Sequence, residues 1–135
     1  MLGDNGMTVI TAQARDSPAE DVGYSFVHCQ VTGIGNMTYL GRAWMPSPRV
    51  VFSYTTMGSV VHSAGWFDNF KPERQQSVYF AEYKCSGPEA NQAGRVKYTK
   101  KITDAQVQPF LTLGYIQGSK WLLRFFLLHV SKFIQ

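Results

Sequence analysis

The chain has 135 residues, of which 44% are hydrophobic and 16% charged, the composition of one globular domain and not of a disordered segment. Lys and Arg number 13 against nine acidic residues, and the net charge of +4 favours contact with a polyanion. The basic residues are scattered, with Lys100 and Lys101 as the only adjacent pair, so the dense basic arm typical of nucleic-acid-binding proteins is absent. We therefore expect no nucleic-acid partner.

Strands dominate the elements predicted along the chain. The opening MLGDNGMTVI lacks the basic start and apolar run of a signal peptide, so we expect no export signal in the sequence as given. Five segments rich in β-branched and aromatic residues then predict strands between Gly, Pro, Asn and Ser clusters: MTVITA, YSFVHCQV, RVVFSYTTM, SVYFAEYKC and RVKYT.

One short helix is predicted near the end, over residues 103–111. Thr103 can cap it and Asp104 suits its first turn, whereas Pro109 limits its length. Residues 121–130 are apolar but shorter than the roughly 20 residues that cross a membrane, and Arg124 interrupts them. We expect a docked terminal segment there and no membrane contact.

Three of the predicted strands share a pattern in which an aromatic residue is followed three and five positions later by smaller or apolar residues. Phe26, Phe52 and Phe80 begin the three copies and are separated by 26 and 28 positions. A period of this size favours a solenoid, in which each coil adds one strand to each long sheet and equivalent residues stack about 4.8 Å apart. The alternative is a β-sandwich whose strands resemble one another.

The cysteines and histidines give no sign of a disulfide or a metal site. In a solenoid, Cys29 and Cys85 lie two coils apart, roughly 9 to 10 Å and beyond the reach of a disulfide, so we predict two free, buried thiols. His28, His62 and His129 have no spacing that gathers them with the cysteines, so we expect no metal. His28 is predicted to be an outward strand residue.

The segment YLGRAW, residues 39–44, places a guanidinium and an indole together. Strand alternation puts Arg42 and Trp44 on one side with Leu40, and Tyr39, Gly41 and Ala43 on the other. An indole offers an apolar platform for a sugar ring and a guanidinium offers a fork for a carboxylate, so the pair suits a sugar acid. The alternative is a core Trp44 covered by a surface Arg42.

Several ordered motifs resemble the plant pectinesterases, or pectin methylesterases. They are ITAQAR, GYSFVHCQVTG, YLGRAW, RVVFSYTTM, GWFDNF, YKCSGPEANQAGRVKY and ITDAQVQPFLTLGYIQGSKWL. The resemblance implies an all-β fold, a right-handed parallel β-helix wound as a single-stranded solenoid, present here in part and followed by a short helix. Residues 1–123 correspond to the C-terminal part of that domain, and residues 124–135 form a divergent apolar tail.

The resemblance also implies an enzymatic activity and a localisation. The family hydrolyses methyl esters of homogalacturonan to galacturonate and methanol in the plant cell wall, with pectin as substrate, a proteinaceous inhibitor as a further partner and no cofactor. One aspartate attacks the ester, a second acts as acid and base, and glutamines stabilise the oxyanion. By the LGR-x-W motif, Arg42 supports the nucleophilic aspartate and Trp44 lines a sugar subsite. Trp66 of GWFDNF is a further candidate for substrate contact.

The catalytic aspartates of the family do not carry over to this chain. They lie upstream of ITAQ, one after a glutamine and one opening a D-F-I-F-G motif, and neither context occurs here. We therefore predict that the chain alone lacks the catalytic pair, which leaves open whether it is an enzyme, a non-catalytic pectin-binding fragment or an inactive truncated product. Two positions depart from the family pattern, Ala43 in place of a common Pro and Phe70 in place of a second Trp.

Overall fold

The structure, a computed structural model, describes residues 7–13, 15–17, 19 and 23–111. Within these ranges the chain forms nine strands, one α-helix and two short 3₁₀ helices. The strands are β1 (Thr8–Thr11), β2 (Tyr24–Val27), β3 (Gln30–Val31), β4 (Thr38–Arg42), β5 (Arg49–Ser53), β6 (Thr56–Met57), β7 (Trp66–Phe67), β8 (Tyr79–Tyr83) and β9 (Thr99–Lys100). The 3₁₀ helices span Pro72–Gln76 and Gln92–Gly94, and α1 spans Asp104–Leu111.

The strands form three parallel sheets, and successive strands from β1 to β8 belong to different sheets. Their orders are β1-β4-β7, β2-β5-β8-β9 and β3-β6, and every strand pair is parallel. The first two turns, β1 to β3 and β4 to β6, each add one strand to every sheet, and the third turn adds β7 and β8 to two of them. This arrangement is a parallel β-helix and confirms the predicted fold class, while the β-sandwich alternative is wrong.

The predicted stacking of the coils is correct for the first pair and wrong for the second. Phe26 pairs with Phe52, as the 26-residue spacing predicts. In the next coil Phe52 pairs with Glu82 and Phe80 pairs with Val50, so the true offset is 30 and not 28. The longer loop between β7 and β8, which contains the helix Pro72–Gln76, accommodates the extra residues.

The core is a column of aromatic rings inside the solenoid. Phe26 stacks on Phe52 with ring centroids 4.6 Å apart, Phe52 meets Trp66 edge-on at 5.9 Å, and Trp66 stacks on Phe80 at 4.4 Å. Aliphatic residues from all three sheets surround this column, among them Val31, Leu40 and Val50. Stacked rings from neighbouring coils hold the coils in register.

The helix α1 packs on the outside of the β2-β5-β8-β9 sheet and confirms the predicted short helix. The Thr103 hydroxyl accepts a hydrogen bond from the Gln106 amide at 3.2 Å, and the Gln106 side chain accepts one from the Thr103 amide at 2.9 Å, a reciprocal capping box. Phe110 stacks on Tyr79 at 5.7 Å, and the Ser25 hydroxyl donates to the Phe110 carbonyl at 2.8 Å. The helix is thus tied to both β2 and β8.

Both cysteines are free, as predicted. Cys29 is buried, which was also predicted, whereas Cys85 is only half-buried. Burial raises the pKa of the Cys29 thiol, and burial raises that of Cys85 to about 11. His28 is exposed as predicted, but it lies at the corner between β2 and β3 with φ 56° and not on a strand. Its ring stacks on Tyr54 at 5.0 Å.

Several predictions concern segments that lie wholly or partly outside the described residues: the first six residues of the chain opening, the apolar residues 121–130 and the tail 124–135. No helix in the described part of the chain is long and apolar enough to cross a membrane. The domain boundary at residue 123 stays a prediction.

Candidate functional site

The candidate site lies on the outside of the β1-β4-β7 sheet, where β4 ends. The predicted alternation of sides fails at Leu40, which is fully buried in the core and so does not lie with Arg42 and Trp44. Its neighbour Gly41 also faces inward: a Cβ at this position would lie 2.5 Å from the Thr11 hydroxyl and 3.0 Å from the Trp66 ring. Two consecutive inward residues break the strand pattern, and Arg42 then returns to the outside.

Arg42 and Trp44 lie together, on the outer surface of the solenoid. The Arg42 Cζ atom is 4.7 Å from the centroid of the Trp44 ring, within the range of a cation–π contact. Trp44 is 50% exposed, so the alternative in which it is a core residue is wrong. The buried Ala43 between them faces the core.

The Nε atom of Arg42 is buried, and within the described residues it has no hydrogen-bond acceptor. A buried N–H without an acceptor destabilises a folded protein by about 1–3 kcal/mol. A carboxylate is the acceptor that a guanidinium binds best, through parallel hydrogen bonds. Arg42 is therefore suited to hold a carboxylate at the surface of this sheet.

An aromatic cluster lies beside this pair and was not predicted from the sequence. Tyr39 stacks on His62 with centroids 4.6 Å apart and meets Phe67 at 5.5 Å. Phe67 pairs with Arg42 across the strands, and its ring contacts that of Phe70 at 4.9 Å. Phe70 is 84% exposed, so an aromatic surface does occupy this position despite the loss of the family's second Trp. Only the true coil register could have placed Phe67 next to Arg42.

Trp66 does not belong to this surface. It is only 1% exposed, its ring stacks on Phe80 inside the solenoid, and its Nε1 donates to the Glu82 carboxylate at 3.1 Å. A substrate on the outer surface cannot contact a ring that faces the core. The prediction that Trp66 binds substrate is therefore wrong in this structure.

Three acidic side chains in the described part of the chain, those of Glu82, Asp68 and Asp104, make structural contacts. Glu82 is buried in an ion pair with Arg95, with Arg95 Nε 2.8 Å from its Oε2. Asp68 accepts hydrogen bonds from the Phe70 amide at 3.0 Å and from the Gln75 side chain at 2.7 Å. Asp104 accepts the hydroxyl of Tyr83. Across the described residues, no three His, Cys, Asp or Glu side chains come together as a metal site.

With three parallel sheets, the protein belongs to the class of parallel β-helix proteins. Arg42 and Trp44 give one of these sheets an exposed polar and aromatic surface. Among solved structures, a pectin methylesterase from carrot is similar with a TM-score of 0.72 and 28% identity, over 87% of this chain and 40% of that one. A family model described as Pectinesterase matches residues 3–119, and the chain belongs to this family.

Plant relatives match over most of this chain. "Probable pectinesterase 49" of Arabidopsis thaliana is 52% identical over 122 residues, which are 90% of this chain and 34% of that protein. "Pectinesterase 2" of Olea europaea is 50% identical over 115 residues, which are 85% of this chain and 31% of that protein. The chain thus spans about a third of the length of these relatives.

Proposed function

We propose that this chain forms part of the substrate surface of a pectinesterase, whose whole protein hydrolyses methyl esters of homogalacturonan in the plant cell wall. The observation that carries the proposal is the Arg42–Trp44 pair, with a buried Nε that has no acceptor among the described residues. Family membership supports the reaction, and the local chemistry supports the roles of the two side chains.

In this proposal Arg42 holds a carboxylate and Trp44 receives a sugar ring. The guanidinium fixes the orientation of an aspartate that attacks the ester carbonyl, while a second carboxylic acid protonates the departing methoxide to give methanol. Water then cleaves the acyl-enzyme and leaves free galacturonate. The two aspartates belong to the upstream part of the family pattern, and their absence from this chain stays a prediction.

The second candidate function is a pectin-binding fragment without catalysis. The structural engagement of Glu82, Asp68 and Asp104 favours it, because these carboxylates already have partners in the described part of the chain. For this chain by itself, both candidates predict sugar binding without methanol release, and they differ in whether the whole protein releases methanol. Methanol release and binding are therefore measured together.

Methanol release from highly methylated pectin and binding of de-esterified oligogalacturonate test the proposal on the purified chain. We expect no methanol release above background, together with binding that weakens as salt is added. Arg42→Ala should weaken binding about tenfold, which is about 1.4 kcal/mol. The control Lys97→Ala removes the same charge from an exposed position outside the site and should leave binding unchanged.

Two results would contradict this view. Methanol release that falls in Arg42→Ala would place a catalytic acid within this chain and require a new assignment for Asp68 or Glu82. A sample that is folded by circular dichroism but binds no oligogalacturonate would remove Arg42 and Trp44 from substrate recognition.

A further inference from the structure

Trp44 lies just beyond β4, where the sheet no longer defines the backbone. The Ala43 amide still donates to the Phe67 carbonyl at 2.9 Å, and the Trp44 amide donates back to the Arg42 carbonyl at 2.9 Å. Among the described residues, no backbone amide of a neighbouring strand donates to the carbonyls of Ala43 and Trp44, and both accept hydrogen bonds from a side chain instead. An exposed indole on such a segment needs another restraint to keep a defined direction.

Arg74 supplies that restraint from the next coil. It lies on the 3₁₀ helix Pro72–Gln76, and its Nη1 atom donates to the Ala43 carbonyl at 2.6 Å and to the Trp44 carbonyl at 2.9 Å. These two carbonyls belong to the peptide groups on either side of the Trp44 Cα. Because each peptide group is planar, fixing both sets the φ and ψ angles of Trp44 and the direction of its Cα–Cβ bond.

The rest of the loop is held by other side chains, at a distance from Trp44. Ser77 donates to the Pro46 carbonyl, Ser47 donates to the Ser77 carbonyl at 2.9 Å, and Arg15 donates to the Ser47 carbonyl at 2.6 Å. Side chains from both neighbouring coils therefore fix this loop. Of these contacts, the hydrogen bonds of Arg74 are the ones made to the peptide groups that flank Trp44.

We infer that Arg74 is a positioning residue for sugar recognition: it holds the backbone of Trp44 while the Arg42 guanidinium lies 4.7 Å from the ring centroid. This inference rests on the proposed function, because it concerns the same site. Ordering a free side chain on binding weakens affinity, so an indole that is already fixed binds a sugar more tightly. Loss of the restraint should weaken oligogalacturonate binding about three- to tenfold.

The test uses the full chain labelled with 5-fluorotryptophan and observed by fluorine NMR, with the Trp44 resonance assigned by its loss in Trp44→Phe. In Arg74→Ala we expect the Trp44 resonance to move towards that of the free amino acid, the Trp66 resonance to stay in place and binding to fall three- to tenfold. Arg74→Lys keeps a hydrogen-bond donor within reach, so its Trp44 resonance and its binding affinity should lie between those of Arg74→Ala and the wild type. The control Gln76→Ala changes an exposed residue on the same 3₁₀ helix and should leave both resonances and the binding affinity at their wild-type values.

The outcomes separate the positioning role from the proposed function. An unchanged Trp44 resonance in Arg74→Ala and Arg74→Lys, or unchanged binding despite a shifted resonance, would overturn the inference. A shift of the Trp66 resonance as large as that of Trp44 would show a general structural role and would also overturn it. If the wild-type chain binds no oligogalacturonate, the proposed function fails, and a selective Trp44 shift would still support the positioning of the ring by Arg74.

Discussion

A charged pair occupies a position inside the solenoid where the two preceding coils place phenylalanines. Glu82 pairs with Phe52, which pairs with Phe26, yet the Glu82 and Arg95 side chains are only 1% and 2% exposed. Arg95 makes two hydrogen bonds to Glu82, at 2.8 and 2.9 Å, and Trp66 adds a third. The carboxylate therefore keeps three donors in place of water, as a buried charge requires.

Glu82→Ala should be among the most destabilising single changes in the chain. It leaves the Arg95 guanidinium buried without its counter-ion, so we expect the free energy of unfolding to fall by about 3–5 kcal/mol. Urea unfolding followed by circular dichroism measures this, with Glu73→Ala as an exposed acidic control. Glu82→Gln retains hydrogen-bond acceptors and should cost less than Glu82→Ala. A loss below about 1 kcal/mol for Glu82→Ala would show that the pair contributes little.

At the scale of the elements, α1 is held to the sheet by a polar contact as well as by packing. The Tyr83 hydroxyl donates to Asp104 in the first turn of the helix, and this hydrogen bond, with smaller contributions from burial and charge, raises the pKa of Tyr83 to about 12. Phe110 packs at the other end of the helix, against Tyr79. The two ends of α1 are thus attached by different kinds of interaction.

The attachment of α1 should depend on pH in the alkaline range. Because the folded pKa of Tyr83 is raised above its usual value near 10, its contribution to stability is complete below pH 10 and is lost as the pH rises through about 12. In Asp104→Asn, one tyrosine should titrate at a lower pH than in the wild type, as measured by the difference in absorbance at about 295 nm. Superimposable titration curves would contradict the role of Asp104.

Particular residues show how far the sequence could predict these elements. The apolar pattern identified the solenoid and the 26-residue offset of Phe26 and Phe52, but it missed the offset of the next coil by two residues. A shift of two keeps each side chain on the same face of a strand, so Phe80 is buried in either register and the pattern cannot distinguish them. The burial of Trp66 and the inward turn of Leu40 depend on contacts between coils, which no single segment encodes.

At the scale of the whole molecule, each coil is stabilised mainly by its neighbours. Ring stacking and parallel pairing run from coil to coil, so the interior is continuous only where another coil follows. Within the described residues, β2 pairs only with β5, and β3 only with β6. Their outer edges present backbone groups that another strand can bind, as in any uncovered sheet edge.

We therefore predict that the 135-residue chain, prepared alone, associates at concentrations of tens of micromolar. Light scattering coupled to size exclusion should give masses above the 15.2 kDa of one chain, rising with concentration. Lysines on the end strands, in Val27→Lys combined with Gln30→Lys, should reduce this association because charged side chains disfavour pairing between sheet edges. Gln76→Lys combined with Gln108→Lys adds the same charge at exposed helical positions and controls for net repulsion. A wild-type mass that stays at one chain over the whole concentration range would mean that the edges of β2 and β3 are protected within this chain.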